Sequence, residues 1–270
     1  MDRPFDKASF WHSGFPSACI TPIVITQPGF KRYPGISSGT GFFVRYACDV
    51  YLLTALHCLE INNPPMPFEQ TATLLTIPIR TVGRTKCYTD FVSFCQATRL
   101  SEDPKHLTFV DAVALRVKPE LRKNHQHLLS RSAKLPPSGL WLDKFVETDV
   151  GKDAMDADEP MAFVVMGYPN EGTNTSVSYA QHAGEVPEIQ LQSASFTGHL
   201  RRSPIDHHLK LDHLSWPGKL AGFSGSPVFV QFRTPHGKQS ALAGMLVLGS
   251  SNTGHFISVS TLVQAVKAEK

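Results

Sequence analysis

The sequence predicts an all-β protein. Two six-stranded antiparallel barrels, 16–120 and 161–258, are joined by a crossing at 121–160 and followed by a C-terminal helix at 259–270. Three observations lead there. Short apolar or alternating runs recur in both halves, separated by breakers such as Pro28-Gly29 and Asn62-Asn63-Pro64-Pro65. The 17 Phe and 20 Pro suit a β-rich, loop-rich body better than a helical bundle. Two sets of about six short strands, then one helix, is the pattern of a double barrel.

The elements follow in order. In the first half, 18–24, 39–45, 50–55, 71–79 and 109–117 read as strands, the last alternating in Asp111-Ala112-Val113-Ala114-Leu115-Arg116-Val117. The crossing is polar and contains proline. Its basic run at 122–127 suits a short helix, and its acidic run at 147–159 reads as a solvated face. Strands resume at 161–166, which ends at Gly167-Tyr168-Pro169, then at 189–200, 208–214, 227–232, 242–248 and 255–259. Ser258 or Ser260 can cap the last helix, in which Leu262, Val263 and Val266 share one face. There is no internal repeat and no low-complexity tract.

Composition narrows the function. Hydrophobic residues make up 41% and charged residues 18%, an ordinary folded balance. A net charge of +3 with pI near 8.6 is too mild to imply nucleic acid. No run approaches the ~18 apolar residues of a membrane span. Residues 1–20 carry Asp2, Asp6, Lys7 and His12 and no apolar core, unlike a secretory signal. The five cysteines (Cys19, Cys48, Cys58, Cys87, Cys95) are an odd number confined to the first half, which reads as free thiols in a reducing, cytoplasmic setting. No metal or cofactor is expected. His207, His208 and His213 lack a paired cysteine or clear carboxylate, Cys87 and Cys95 are too far apart for a zinc knuckle, and no phosphate loop or dinucleotide fingerprint occurs.

Three short runs carry chemistry. Gly222-Phe223-Ser224-Gly225-Ser226-Pro227 sets a serine between glycines on a tight turn, which exposes Oγ and gathers backbone N–H groups. Leu52-Leu53-Thr54-Ala55-Leu56-His57-Cys58 is an apolar strand ending at a histidine, and Asp111 opens an alternating strand. Serine is a poor nucleophile unless a base takes its proton during attack. Histidine can take and return that proton near neutral pH, and an aspartate can fix its tautomer. Each residue alone has an ordinary reading as a turn, boundary or cap residue; the three together do not.

The order His, Asp, Ser, with Gly39-Thr40-Gly41-Phe42-Phe43-Val44 ahead of the histidine, resembles the chymotrypsin-like serine proteases over residues 16–267. Ser224-Gly225-Ser226-Pro227, Gly167-Tyr168-Pro169 and the lack of family disulfides resemble the bacterial glutamyl-endopeptidase and HtrA branch, without a PDZ domain. The resemblance implies the chymotrypsin-like double barrel. It implies His57 as general base, Asp111 as its orienter and Ser224 as nucleophile, with the N–H groups of Gly222 and Ser224 as oxyanion hole. It also implies protein or peptide substrates.

Two features depart from digestive members. Phe223 stands where they carry the aspartate that pairs with a newly cut N-terminus, so that activation switch is absent. Gly39 stands where Cys58 would find its disulfide partner. The pocket for the residue on the acyl side of the scissile bond (P1) is implied at Gly218, Lys219, Leu220, Leu246, Val247, Leu248, Gly249, Gly254 and His255. These walls hold no Asp or Glu, so Arg or Lys at P1 would be buried unpaired, and an apolar or small P1 is expected. An acidic P1 would need a histidine, with His199, His213 and His255 as candidates and Lys219 assisting. The position that reads acid in glutamyl endopeptidases is Leu246 or Val247. An intracellular protease without an activation cut also implies a regulatory protein or assembly partner. Two other functions fit the same residues: a pseudoprotease that only binds, and an acyl hydrolase of small esters.

Overall fold

The computed structural model describes residues 12–13, 16–25, 36–62, 65–81, 84–88, 91–100, 107–117, 122–147, 162–171, 176–178, 188–234 and 237–268. Its second half is a closed antiparallel barrel of six strands. The pairing runs Gly237–Gly249, Pro227–Thr234, Ala162–Gly167, Ala194–Arg202, His208–Asp212 and Gly254–Ser258, and the last returns to the first. Ala194–Arg202 alternates inward Phe196, Gly198 and Leu200 with outward Ser195, Thr197 and His199, as a strand with one wet face must. The first half is an eight-stranded sheet. Its path is Arg84–Tyr88, Leu75–Thr81, Ile20–Ile25, Ile36–Tyr46, Asp49–Thr54, Leu107–Val117 and Phe91–Leu100, and Ala133–Lys134 lies parallel to Ile36–Tyr46. Asp49–Thr54 is central and buried on both faces, which is why its sequence runs apolar without alternating.

The arrangement is consistent with the chymotrypsin-like double barrel, with differences in detail: the first half has eight strands rather than six, and its end strands do not pair among the described residues. Residues 71–79 do not form one strand. Phe68–Thr73 is helical, then Leu75–Thr81 is extended. The carbonyl of Pro67 starts that helix by accepting the N–H groups of Gln70 and Thr71, against the β-preference of the threonines. The expected run at 189–200 breaks into Glu188–Gln190 and Ala194–Arg202. The basic run opens a helix, Arg122–Arg131, and a second helix, Trp141–Glu147, follows in the crossing. Most of the acidic run lies outside the described residues, as do the side chains of Cys87 and Cys95.

Two devices join the halves, and a third fixes the crossing to the first sheet. The helix Val259–Ala268 follows the last barrel strand and lies on Phe91–Leu100 and Leu107–Val117 of the first sheet, burying Leu262, Val263, Ala265 and Val266. Ser258 caps it, its Oγ accepting the Ser260 N–H at 3.2 Å. Arg131 donates to the carbonyls of Ala18 and Ile20 at 2.6 and 2.7 Å, with its guanidinium 5.2 Å from the Phe43 ring centroid. Finally, His12–Ser13 adds an edge strand to the second barrel opposite Ser240 and Gln239. The His12 ring accepts the Lys134 N–H at 2.9 Å through Nε2, tying that edge to the crossing.

Candidate active site

His57 lies in the one-turn helix Leu56–Leu59, directly after the buried strand Asp49–Thr54. Asp111 comes from the neighbouring strand. The pair Val113–Thr54 fixes the register, and two residues farther along Asp111 meets the His57 turn. On its other side the pairing with Phe91–Leu100 is interrupted between Phe109 and Val113, so the strand is irregular at Asp111. The carboxylate holds His57 at two points. One oxygen accepts the His57 backbone N–H at 3.1 Å, and the other lies 2.6 Å from Nδ1. Nδ1 is thereby the donor and Nε2 is left to accept a proton.

The charges act in a consistent direction. The hydrogen bond to Asp111, with Cys58 acting the same way, raises the His57 pKa above its ordinary value against the effect of burial. Burial alone would raise the Asp111 carboxyl; the bonds from His57 outweigh it and hold it below its ordinary value. Neither group is sealed off, with side-chain exposures of 40% and 31%, so the ring can reach a substrate.

Ser224 sits on a turn clamped from both halves. Its carbonyl accepts the Thr40 N–H at 2.9 Å, and the Cys58 thiol lies 3.5 Å away. The next amide, Gly225 N–H, donates to Leu246 at 2.7 Å in the second barrel. Gly222 and Gly225 have φ of 89° and 83°, where a side chain is strained. Each is also crowded: a Cβ on Gly222 would come within 2.5 Å of the Tyr168 carbonyl oxygen, and one on Gly225 would strike the Thr40 carbonyl. Among the described residues the N–H groups of Gly222 and Ser224 have no hydrogen-bond acceptor. That leaves two donors on the turn that carries Oγ.

Phe223 faces away from the cleft. Fully buried, it meets the rings of Phe196 and Trp216 edge-on at 5.0 and 5.2 Å. Trp216 donates to the Lys219 carbonyl at 3.1 Å, and Asn170 N–H donates to the Ala221 carbonyl at 2.9 Å, so the segment leading into the turn is held as well. Thr40 is the residue that sequence reasoning missed. Fully buried, it donates from Oγ1 to the Gly222 carbonyl and accepts the Tyr168 N–H, both at 2.8 Å. Its strand also carries Ser37 and Ser38, so the hydroxyl is no local signal, and nothing in that stretch reveals a partner 182 residues away.

A cleft of about 430 Å³ opens over these groups, lined by His57, Ser224, residues 219–221 and residues 246–251. It brings together His57, Ser224, Lys219, Leu220, Leu246, Val247, Leu248 and Gly249. Gly218, Gly254 and His255 do not line it. Gly218 lies under the Trp216 ring, Gly254 is covered by Leu246, and His255 pairs through Nδ1 with Ser203 Oγ at 3.0 Å. His199 and His213 are also outside the cleft and lie beside each other, ring centroids 5.9 Å apart. Lys219 stands exposed at the rim, 3.7 Å from Glu171. No hydrogen bond joins Ser224 Oγ to His57; the two side chains share the cleft. Cys19, Cys48 and Cys58 form no disulfide, and Cys58 Sγ occupies the space over Gly39. No group of His, Cys, Asp or Glu among the described residues could hold a metal ion, and no described helix is long and apolar enough to cross a membrane.

Neither a protein-family model nor a curated protein sequence matches the chain. Solved structures do. Human heparin binding protein superposes with a TM-score of 0.50 at 13% identity, over 96% of this chain and 94% of that one. The protease of tobacco vein mottling virus gives 0.41 at 11% identity over 94% and 83%. A human pathogenic astrovirus serine protease gives 0.38 at 17% identity over 93% and 95%. At 13% identity the likeness to heparin binding protein establishes fold and not activity.

Proposed function

We propose that the protein is a serine endopeptidase that cleaves protein or peptide substrates through His57, Asp111 and Ser224. The observation that carries this is the two-point hold of Asp111 on His57, with Nε2 left as acceptor in the cleft that Ser224 shares. A fold neighbour named for binding heparin shows that the fold by itself does not separate a protease from a binding module. The site chemistry favours the protease.

The steps follow from the groups present. As Ser224 Oγ attacks the scissile carbonyl carbon, its proton passes to His57 Nε2. The carbonyl oxygen becomes an oxyanion facing the N–H groups of Gly222 and Ser224, and losing one such donor costs about 2.7–4 kcal/mol in comparable enzymes. Collapse breaks the C–N bond, and the leaving amine takes the proton from Nε2. Water then repeats the sequence on the acyl-enzyme and frees Ser224. Catalytic hydrogen bonds often tighten only when substrate is bound, which accommodates the unjoined Ser224 and His57.

The aromatic seat of Phe223 supports a turn that forms without cutting of the chain, so control falls to selectivity or to a regulatory partner. Thiols without a disulfide at Cys19, Cys48 and Cys58 support a cytoplasmic setting. The apolar lining at Leu220, Leu246 and Val247 supports an apolar or small P1. An alkyl fluorophosphonate should label Ser224 in the wild type and nothing in Ser224→Ala, and that variant should lose peptide hydrolysis while keeping its thermal transition. Labelling at another serine, or full hydrolysis by Ser224→Ala, would reject the reading.

A further inference from the structure

The implied P1 pocket has two glycine walls, Gly249 and Gly254, which face each other in register across adjacent strands. Glycines there would leave a deep slot, yet the slot is full. A Cβ on Gly249 would strike Leu220 Cδ1 and lie 3.2 Å from both Cβ and Cγ of that leucine. A Cβ on Gly254 would lie 2.8 Å from Leu246 Cδ1 and 3.6 Å from Leu220 Cδ1. Leu220 therefore packs against both glycines, and Leu246 covers Gly254. The leucines are 5% and 1% exposed, and both line the cleft beside Ser224.

We propose that Leu220 and Leu246 fill the pocket behind Ser224 and restrict P1 to small apolar side chains of the size of Ala or Val. This rests on the protease reading of the cleft. The glycines leave the walls open, but the leucines occupy the volume that a longer side chain needs, and interiors do not yield space cheaply. A charged or amide side chain would meet only methyl groups there and lose its hydration without a partner. One methylene too many in an apolar pocket costs roughly 10- to 200-fold in rate, so an aromatic ring at P1 stands well beyond that. Leu220 is the adjustable part. It precedes the turn, and its backbone carbonyl, which accepts Phe223 N–H at 3.0 Å, survives truncation of the side chain.

The test uses the full chain and two kinds of probe. An alkyl fluorophosphonate carries no P1 residue, so its failure to label Ser224 would remove the protease reading and this inference with it. Peptidyl diphenyl phosphonates that differ only at P1 then report the pocket. Ala and Val probes should react at least about 100-fold faster than the Phe probe, and Glu and Lys probes should be no faster than Phe. In Leu220→Ala the Phe-to-Ala rate ratio should rise at least about tenfold. Should that variant lose its thermal transition, Leu220→Val should move the ratio in the same direction by less. A wild type that labels with the fluorophosphonate yet accepts Phe as readily as Ala overturns the proposal. So does a faster Glu probe, or a ratio that neither Leu220 variant changes.

Discussion

The rings of His57 and His12 are each held by one hydrogen bond, and their surroundings act on them in opposite directions. His57 donates from Nδ1 to a carboxylate, and its pKa is raised. His12 accepts a backbone N–H at Nε2, and burial, with Lys134 and Arg45 adding, pushes its pKa down to about 4. The ring in the cleft is set up to carry a proton; the ring on the edge strand is a neutral wedge between strand and crossing. The side chain does not decide this. What decides is whether an anion takes the ring's hydrogen bond, as at His57, or burial strips the ring of water beside cations, as at His12.

The difference has a signature in pH. The His57 pKa is higher folded than unfolded, so its share of stability is full below about 6.5 and is lost as pH rises through the folded value. His12 behaves in reverse. Between about 6.5 and the folded value of about 4, the unfolded ring binds a proton that the folded ring refuses, so stability falls as pH drops through that window.

The largest way to break the comparison is Asp111→Asn. It should lower kcat by about 10⁴ by favouring the wrong tautomer, and move the acid limb of kcat/KM down toward about 6.5. A limb that stays in place would show that another group raises His57. Next is His12→Ala, which leaves the Lys134 N–H without its acceptor. Urea unfolding should show a loss of about 1–3 kcal/mol, a flatter dependence of stability on pH between about 6.5 and 4, and unchanged kcat. An undiminished slope would mean that a different group titrates there. The smallest is Lys134→Met. With one cation gone, the His12 ring should titrate slightly higher by NMR, by less than the shift that burial causes. No movement would assign the whole effect to burial.

Legibility in the sequence followed the range of the forces involved. Asp49–Thr54 was readable because a strand buried on both faces must be apolar throughout, and the last helix because Ser258 and the spacing of Leu262, Val263 and Val266 are local signals. The Gly222 turn was readable because only glycine suits its φ. The helix at Phe68–Thr73 was not, because its start depends on the Pro67 carbonyl while its threonines favour strands. Trp141–Glu147 hid in a polar, proline-containing stretch. The pocket was the least legible part. Gly218, Gly254 and His255 stand at positions the resemblance marks for a pocket, but Trp216 covers Gly218, Leu246 covers Gly254 and His255 turns to Ser203, contacts that no local pattern reports. Thr40 and Trp216 act through partners distant or unmarked in the sequence, so no local pattern announced them.

Where digestive proteases of this fold hold the equivalent turn with an α-amine and a carboxylate, this chain has three aromatic rings, and rings have no proton to lose. An α-amine with an ordinary pKa of about 8 gives up its charge in alkaline solution, and the pair it forms then fails. The edge-on cluster of Phe196, Phe223 and Trp216 has no such limit, so the turn should keep its shape in the alkaline range, where His57, its pKa raised, gives up its proton and can act as base. Its weakness lies on another axis. Apolar contact slackens on cooling, so the turn should loosen in the cold rather than in base.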